Sequence, residues 1–158
     1  MTPGDDSAVM QWLAARGWQA FDFQREVWAA VAAGRSGLLH ATTGSGKTYA
    51  VWLGVLAVLL QRHPPGRQPQ PLRVLWITPM RALASDTTRA LAEPLQALSA
   101  NWTIGQRTGD TSSSERARQD RRLPTALVTT PESLSLLLSR EQSRNELQDV
   151  AYVVCDEW

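Results

Sequence analysis

The sequence predicts an α/β fold in which a mostly parallel β-sheet is flanked by helices. Short apolar runs of strand length alternate with helix-length segments along the chain, as in parallel strands joined by helical crossovers. The apolar runs are nearly continuous, which is typical of strands that are covered on both faces. Polar residues follow the ends of five of these runs. Because ligands of parallel sheets bind at the carboxyl ends of strands, these polar residues are the candidate site.

Helix caps and apolar spacing place the individual elements. Ser7 is predicted to cap the first helix and Asp22 the second, and Gly34 closes the second helix. Pro94 is expected to kink or divide the fourth helix, and Pro131 suits the first position of the last. The predicted helices are 7–16, 22–33, 49–61, 81–100, 112–122 and 131–139, and the predicted strands are 38–41, 72–78, 102–107, 126–129 and 150–155. The proline-rich segment 63–71 is predicted to be a surface connection.

Composition bounds the class of protein. The chain has 158 residues, 43% of them hydrophobic and 20% charged, which is enough for one globular domain with a sizeable core. A single cysteine, Cys155, excludes an internal disulfide and favours a reducing, cytoplasmic location. The acidic start is not a secretory signal, and the longest apolar stretch, 50–60, is too short to span a bilayer. A net charge of +1 indicates that any contact with nucleic acid comes from placed loops rather than bulk charge.

The segment that ends in Lys47 and Thr48 predicts a phosphate-binding loop. With Ala41 in the first position, it fits the pattern of small residues followed by Gly-Lys-Thr, between a predicted strand and a predicted helix. Small residues let successive backbone N–H groups turn toward phosphate oxygens. Lys47 then supplies charge to the outer phosphates and the Thr48 hydroxyl is a ligand for Mg²⁺. The predicted nucleotide-binding residues of the loop are Thr43, Gly44, Ser45, Gly46, Lys47 and Thr48.

Two carboxylates, Asp156 and Glu157, end the last predicted strand. Together with a phosphate loop they predict the second half of an ATP site. Asp156 can hold Mg²⁺, and Glu157 can polarise the water that attacks the terminal phosphate. We expect Lys47 and Asp156 to act on the same magnesium-bound triphosphate. A nucleotide switch or a small-molecule kinase is the alternative, but a kinase would need a lid and an acceptor pocket, for which the sequence offers no segment.

Five short motifs in order give the chain a specific likeness. It resembles the superfamily 2 DExH-box helicases, is most similar to the Lhr-type group, and within that group to the ligase-associated DEXH-box helicases of bacterial DNA repair. The resemblance implies a three-layer RecA-like P-loop NTPase domain and an ATP-dependent DNA helicase that moves 3′ to 5′ on single-stranded DNA. It also implies association with a DNA ligase and a nuclease, with RNA as a possible second track. The motifs are the segments 41–48, 77–84, 107–111, 128–134 and 154–158.

The same resemblance assigns further site residues. Gln24 is similar to the glutamine that reads the edge of adenine in this family. A glutamine suits that role because its amide both donates and accepts hydrogen bonds. Three loops resemble strand-contacting motifs that grip phosphates without reading sequence. Ordinary turn chemistry and helix capping are the alternative for each loop. The implied nucleic-acid contacts are Thr78, Pro79, Arg81, Arg107, Thr108, Gly109, Asp110, Thr129, Thr130, Pro131 and Glu132.

The likeness also implies a domain division and a longer protein. Residues 1–34 are expected to be N-terminal helices carrying the adenine-reading glutamine, and residues 35–158 the first motor domain. The family continues after Trp158 with a histidine, a second motor domain and an arginine finger, so the fragment alone is expected to be inactive. Trp12, Trp28 and Trp52 are expected in the core and Trp18 near the adenine site. The arginines within 116–122 are expected either on a solvated helix face or at the rim of a nucleic-acid contact.

Overall fold

A computed structural model describes residues 7–42, 46–99 and 101–157. Within it the chain forms two compact units. The first is built from residues up to Pro65 together with the short segment that starts at Ala97, and the second from Gly66–Gln96 and the residues from Asn101 onward. Each is described by itself below. The predicted site residues Thr43, Gly44 and Ser45, and also Trp158, lie outside the described residues.

The first unit is helical. Its helices are α1 (Ala8–Ala15), α2 (Asp22–Ala32) and α3 (Lys47–Arg62). Helices α2 and α3 pack so closely that a Cβ at Gly54 would lie 2.8 Å from the Trp28 ring, and the Trp28 indole N–H donates to the Tyr49 carbonyl at 3.4 Å. Trp12, Trp28 and Trp52 are buried, as their apolar helical spacing predicts.

The second unit contains a four-stranded sheet in which every pair is parallel. Its order is β2-β3-β1-β4, so β2 and β4 are the edges and their outer backbone groups have no ladder partner among the described residues. The strands are β1 (Val74–Ile77), β2 (Ile104–Arg107), β3 (Ala126–Thr129) and β4 (Tyr152–Cys155). The remaining helices of the described chain are α4 (Arg81–Leu98), α5 (Ser113–Arg121), α6 (Pro131–Leu138) and α7 (Ser143–Leu147).

Both faces of the central strands are buried. Leu75 and Leu127 are register partners and form one cluster with Leu137 of α6 and Leu147 of α7. On the opposite face Val74, Trp76, Ala126 and Val128 are each no more than 1% exposed. This two-sided burial explains the continuous apolar runs and confirms the predicted class of a parallel sheet flanked by helices.

Two local predictions are wrong. Segment 38–41 forms no strand: a strand requires paired backbone groups, the described residues give this segment no ladder, and Leu38 is 72% exposed. Phe21, not Asp22, is the cap of α2, because the Gln24 side chain accepts the Phe21 N–H at 3.0 Å. Pro94 does not divide α4, which continues through it as one element. The short α7 was not predicted.

Candidate nucleotide and nucleic-acid sites

Helix α3 begins at Lys47, two residues before the predicted start at Tyr49. Gly46 caps the helix with φ +86°, in the left-handed region, and its carbonyl accepts the Ala50 N–H at 2.9 Å. A Cβ at Gly46 would lie 2.9 Å from the Gln24 Nε2, so both the backbone and the space require glycine. The first turn of α3 therefore brings backbone N–H groups and the Lys47 side chain to one helix N-terminus, where anions bind readily.

Gln24 connects the start of α2 to this turn. It is 6% exposed, its Oε1 accepts from the Phe21 N–H at 3.0 Å, and its Nε2 donates to the Gly46 carbonyl at 3.2 Å. A glutamine amide has two donors and two acceptor sites, so these bonds leave it capacity for a base edge. Gln24 thus fixes the residue that precedes Lys47, a role the sequence did not reveal.

Exposed aromatic rings lie near Gln24 in sequence. Trp18 is 47% exposed and Phe21 is 59% exposed. Trp18 contacts Trp12 edge-on, with ring centroids 5.9 Å apart, and Phe21 stacks on Phe23 at 6.0 Å. These rings offer flat apolar surface on the same unit as Gln24 and Lys47.

The two predicted catalytic carboxylates follow β4. The Asp156 N–H donates to the Ile77 carbonyl at 2.8 Å. This bond extends the β1–β4 ladder to the backbone of Asp156. The Trp76 indole N–H donates to Asp156 Oδ2 at 3.2 Å, and Oδ1 has no hydrogen-bond partner among the described residues. Glu157 has φ +54°, a conformation that costs a non-glycine residue about 1–3 kcal/mol and that clusters at functional sites.

Asp156 has the chemistry that Mg²⁺ takes from a protein in nucleotide sites. In the described ranges, no three His, Cys, Asp or Glu side chains gather as ligands for a metal. Mg²⁺ in nucleotide sites takes one or two protein oxygens and completes its shell with phosphate and water. Within the second unit, the half-buried Asp156 offers such an oxygen, because one of its carboxylate oxygens remains available.

The predicted nucleic-acid residues divide into two sets by exposure. One set is buried or nearly so, and we call it the inner set. The other is exposed, and we call it the outer set. The inner set is Thr78, Arg107, Thr108, Thr129 and Thr130, and the outer set is Pro79, Arg81, Gly109, Asp110, Pro131 and Glu132.

The inner threonines bind the ends of the strands to one another. The Thr129 hydroxyl donates to the Arg107 carbonyl at 2.7 Å, and the Thr129 carbonyl accepts the Thr78 N–H at 2.9 Å. Thr130 caps α6 by accepting the Ser133 N–H, and the Thr108 hydroxyl accepts the Asp110 N–H at 3.2 Å. These bonds fix where each loop leaves the sheet.

Arg107 belongs to a charge network. Its side chain is 11% exposed, and both of its terminal nitrogens donate to Asp120 Oδ1 at 3.0 Å. Arg140 donates to the same oxygen at 3.0 Å and to Glu146 Oε1 at 2.9 Å. The network joins the end of β2 to α5 and to the segment between α6 and α7. Arg107 therefore stabilises the packing of these elements against one another.

The outer set carries the accessible charge. The Arg81 guanidinium lies over Gly109, where a Cβ would be 2.5 Å from Cζ, and donates to Asp110 at 3.3 Å with both side chains largely exposed. Met80, which the sequence did not single out, is 57% exposed beside them; an apolar residue between Pro79 and Arg81 was the available signal. Arg81 is therefore the cation of the predicted set that can meet a phosphate.

The arginines within 116–122 do not act as one surface. Arg116 donates to the carbonyls of Thr108 and Thr111, and Arg122 donates to the Pro69 carbonyl at 2.8 Å. Arg118 pairs with Glu115 on the same helix. Two of these arginines therefore support loops. No helix of the described chain has the length and apolarity needed to cross a membrane.

The chain is similar in sequence to curated proteins that are named as helicases. The chain is 37% identical over 134 residues to the ATP-dependent helicase Lhr-Core of Methanothermobacter thermautotrophicus, an alignment that covers 78% of this chain and 15% of that protein. It is 34% identical to the Lhr helicase/uracil glycosylase of Escherichia coli, over 95% of this chain and 11% of that one. The chain thus spans about a sixth or less of these relatives.

Solved structures show the same fold. The structure of Mycobacterium smegmatis helicase Lhr bound to ssDNA and AMP-PNP matches with a TM-score of 0.81 and 33% identity, over 98% of this chain and 20% of that chain. The DEAD-box helicase Mss116 bound to ssRNA shares the fold at a TM-score of 0.78 and 17% identity. The predicted RecA-like fold and the resemblance to Lhr-type helicases are confirmed. Residues 21–158 match the family model of the DEAD/DEAH box helicases, and the chain belongs to that family.

Proposed function

We propose that the protein containing this chain is an ATP-dependent helicase that moves 3′ to 5′ along single-stranded DNA and serves DNA repair. The observation that carries the proposal is the start of α3: Lys47 follows a left-handed Gly46 that Gln24 holds in place. A helix N-terminus of this kind supports the binding of phosphate groups. The names of the relatives, ATP-dependent helicase Lhr-Core and helicase Lhr bound to ssDNA and AMP-PNP, support ATP and single-stranded DNA as its ligands.

Each residue of the predicted nucleotide site has a role in this proposal. Gln24 reads adenine, the residues of the 43–48 loop bind the phosphates, and Lys47 stabilises charge on the outer phosphate in the transition state. Thr48 and Asp156 would hold Mg²⁺, which neutralises phosphate charge. Glu157 orients and polarises the attacking water. Residues 1–34 act as the adenine-reading segment and residues 35–158 as the first of two motor domains.

The outer set is proposed to contact the backbone of the strand. Arg81 supplies a phosphate contact, and the neighbouring exposed backbone and Met80 face the strand without selecting bases, because phosphate contacts position a strand without reading its sequence. Binding of ATP closes the two motor domains and hydrolysis reopens them, which moves the strand. A DNA ligase and a nuclease are the proposed partners.

The test uses the purified full-length protein. ATP hydrolysis is measured alone, with single-stranded DNA and with single-stranded RNA, and unwinding is measured on duplexes that carry either a 3′ or a 5′ tail. We expect DNA to stimulate hydrolysis and only the 3′-tailed duplex to unwind. Hydrolysis indifferent to any polynucleotide would identify a nucleotide switch or kinase instead, and unwinding from the 5′ tail would overturn the polarity.

A further inference from the structure

Trp76 lies in the middle of the sheet and contacts the carboxylate that the proposed function assigns to Mg²⁺. It is 1% exposed and pairs in register with Val128 on one side and Val154 on the other. Asp156 lies two residues beyond Val154, so its side chain leaves the backbone on the same face as that of Trp76. The indole N–H bridges this diagonal and donates to Asp156 Oδ2 at 3.2 Å.

This bond is not a general consequence of burying tryptophan. The indole N–H groups of Trp12 and Trp102 are buried and have no hydrogen-bond partner within the described ranges. Packing alone therefore places tryptophans in this protein with their N–H unsatisfied. At Trp76 the N–H instead meets an ionised side chain, where a hydrogen bond is about twice as strong as between neutral groups.

The chemistry of the donor matters for a metal ligand. An arginine or lysine at this position would fix the carboxylate but would also neutralise its charge and compete with a cation. An indole is a donor only and is neutral. It can therefore orient Asp156 through Oδ2 while the carboxylate keeps its negative charge and its Oδ1.

We propose that Trp76 is a positioning residue that orients Asp156 for the metal–nucleotide complex. The inference rests on the proposed function, because it takes Asp156 as a magnesium ligand. Partners that orient metal ligands in this way typically change metal affinity by about 10–100-fold when they are removed. Trp76 should therefore act on the coupling between Mg²⁺ and nucleotide, and not on the affinity for nucleotide alone.

The experiment measures ADP binding to the full-length protein by calorimetry, once with Mg²⁺ and once with EDTA. The ratio of the two affinities reports the metal. Trp76→Phe keeps an aromatic ring and removes the N–H. We expect it to reduce the Mg²⁺ enhancement of ADP binding by about tenfold or more, with the affinity in EDTA unchanged. Trp102→Phe is the matched control, since it removes a buried indole whose N–H has no described partner, and it should leave the enhancement as in the wild type.

A second substitution separates the bond from packing. Replacing Trp76 with 3-benzothienylalanine keeps the bicyclic shape and exchanges the N–H for sulfur, so the fold is preserved even if Trp76→Phe does not fold. We expect the same loss of Mg²⁺ enhancement with an unchanged melting temperature. An enhancement equal to that of the wild type in the benzothienyl protein overturns the inference, and so does a wild-type ADP affinity that ignores Mg²⁺. The proposed function fails separately, through ATP hydrolysis that does not respond to single-stranded DNA.

Discussion

The inner and outer sets lie at the same strand ends and differ in what their side chains can reach. The side chains of Thr129, Thr130 and Arg107 bond to the neighbouring strand, to the first turn of α6 and to Asp120. Arg81 and Asp110 of the outer set pair with each other while remaining 61% and 71% exposed. Each set contains one arginine, so for this residue type exposure distinguishes the two roles. The inner set fixes the loops, and the outer set is available to a strand.

The largest effect is expected from breaking the inner set at Arg107. Arg107→Ala removes both bonds to Asp120 and should lower the local free energy of unfolding by about 2 kcal/mol, below the range for fully buried pairs because Asp120 is half exposed. Hydrogen exchange of the β2 and β3 amides in the full-length protein measures this. Arg118→Ala, which alters an exposed pair on α5, is the control and should stay within about 0.5 kcal/mol. Unchanged hydrogen exchange combined with weaker DNA binding would show that Arg107 contacts the strand and does not stabilise the fold.

The next largest effect is expected at Arg81, and it tests whether the outer set contacts single-stranded DNA. Arg81→Ala should weaken binding of single-stranded DNA by about tenfold at low salt and should reduce the slope of log affinity against log salt by about 0.7, the value for one phosphate contact on a single strand. Its stability should not change, because the side chain is exposed. Arg89→Ala is the matched control on the same helix, where the guanidinium pairs with Asp86. Equal losses from both arginines would show a diffuse charge effect instead of a contact.

The smallest effect concerns the surface on which Arg81 lies. Gly109→Ala places a Cβ against the Arg81 guanidinium, and because that group ends a flexible side chain, it should move and break the pair with Asp110 at a cost below about 1 kcal/mol. We expect DNA affinity to fall by about twofold to threefold. In the double variant with Arg81→Ala, Gly109→Ala should add no further loss. An additive loss would mean that Gly109 contacts the strand directly.

Much of this architecture could be predicted from the sequence. Strand β3 occupies the predicted positions, α3 includes the whole predicted helix 49–61, and Ser7 caps α1. These features depend on neighbours a few residues away, which local patterns record. The parallel direction of the strands was also predicted, from the alternation of strand-length apolar runs with helix-length segments.

Most of the features that were missed depend on distant residues. Segment 38–41 is apolar enough for a strand, but a strand needs a partner, and sequence alone does not supply one. The burial of Arg107 depends on Asp120 and Arg140, and the bond of Trp76 depends on a residue 80 positions away. Capping by Gln24 was missed because its amide was assigned to adenine alone. Local patterns identify which residues are polar at strand ends, and only the fold identifies which of them are exposed.

Lys47 is the residue on which the proposed ATP-driven activity depends most. The most direct measurement is ATP hydrolysis by full-length Lys47→Ala in saturating single-stranded DNA, with its melting temperature recorded beside the wild type. We predict a folded protein whose DNA-stimulated hydrolysis is abolished, since the outer phosphate loses its fixed positive charge. Hydrolysis undiminished in that variant would contradict the assignment of the site.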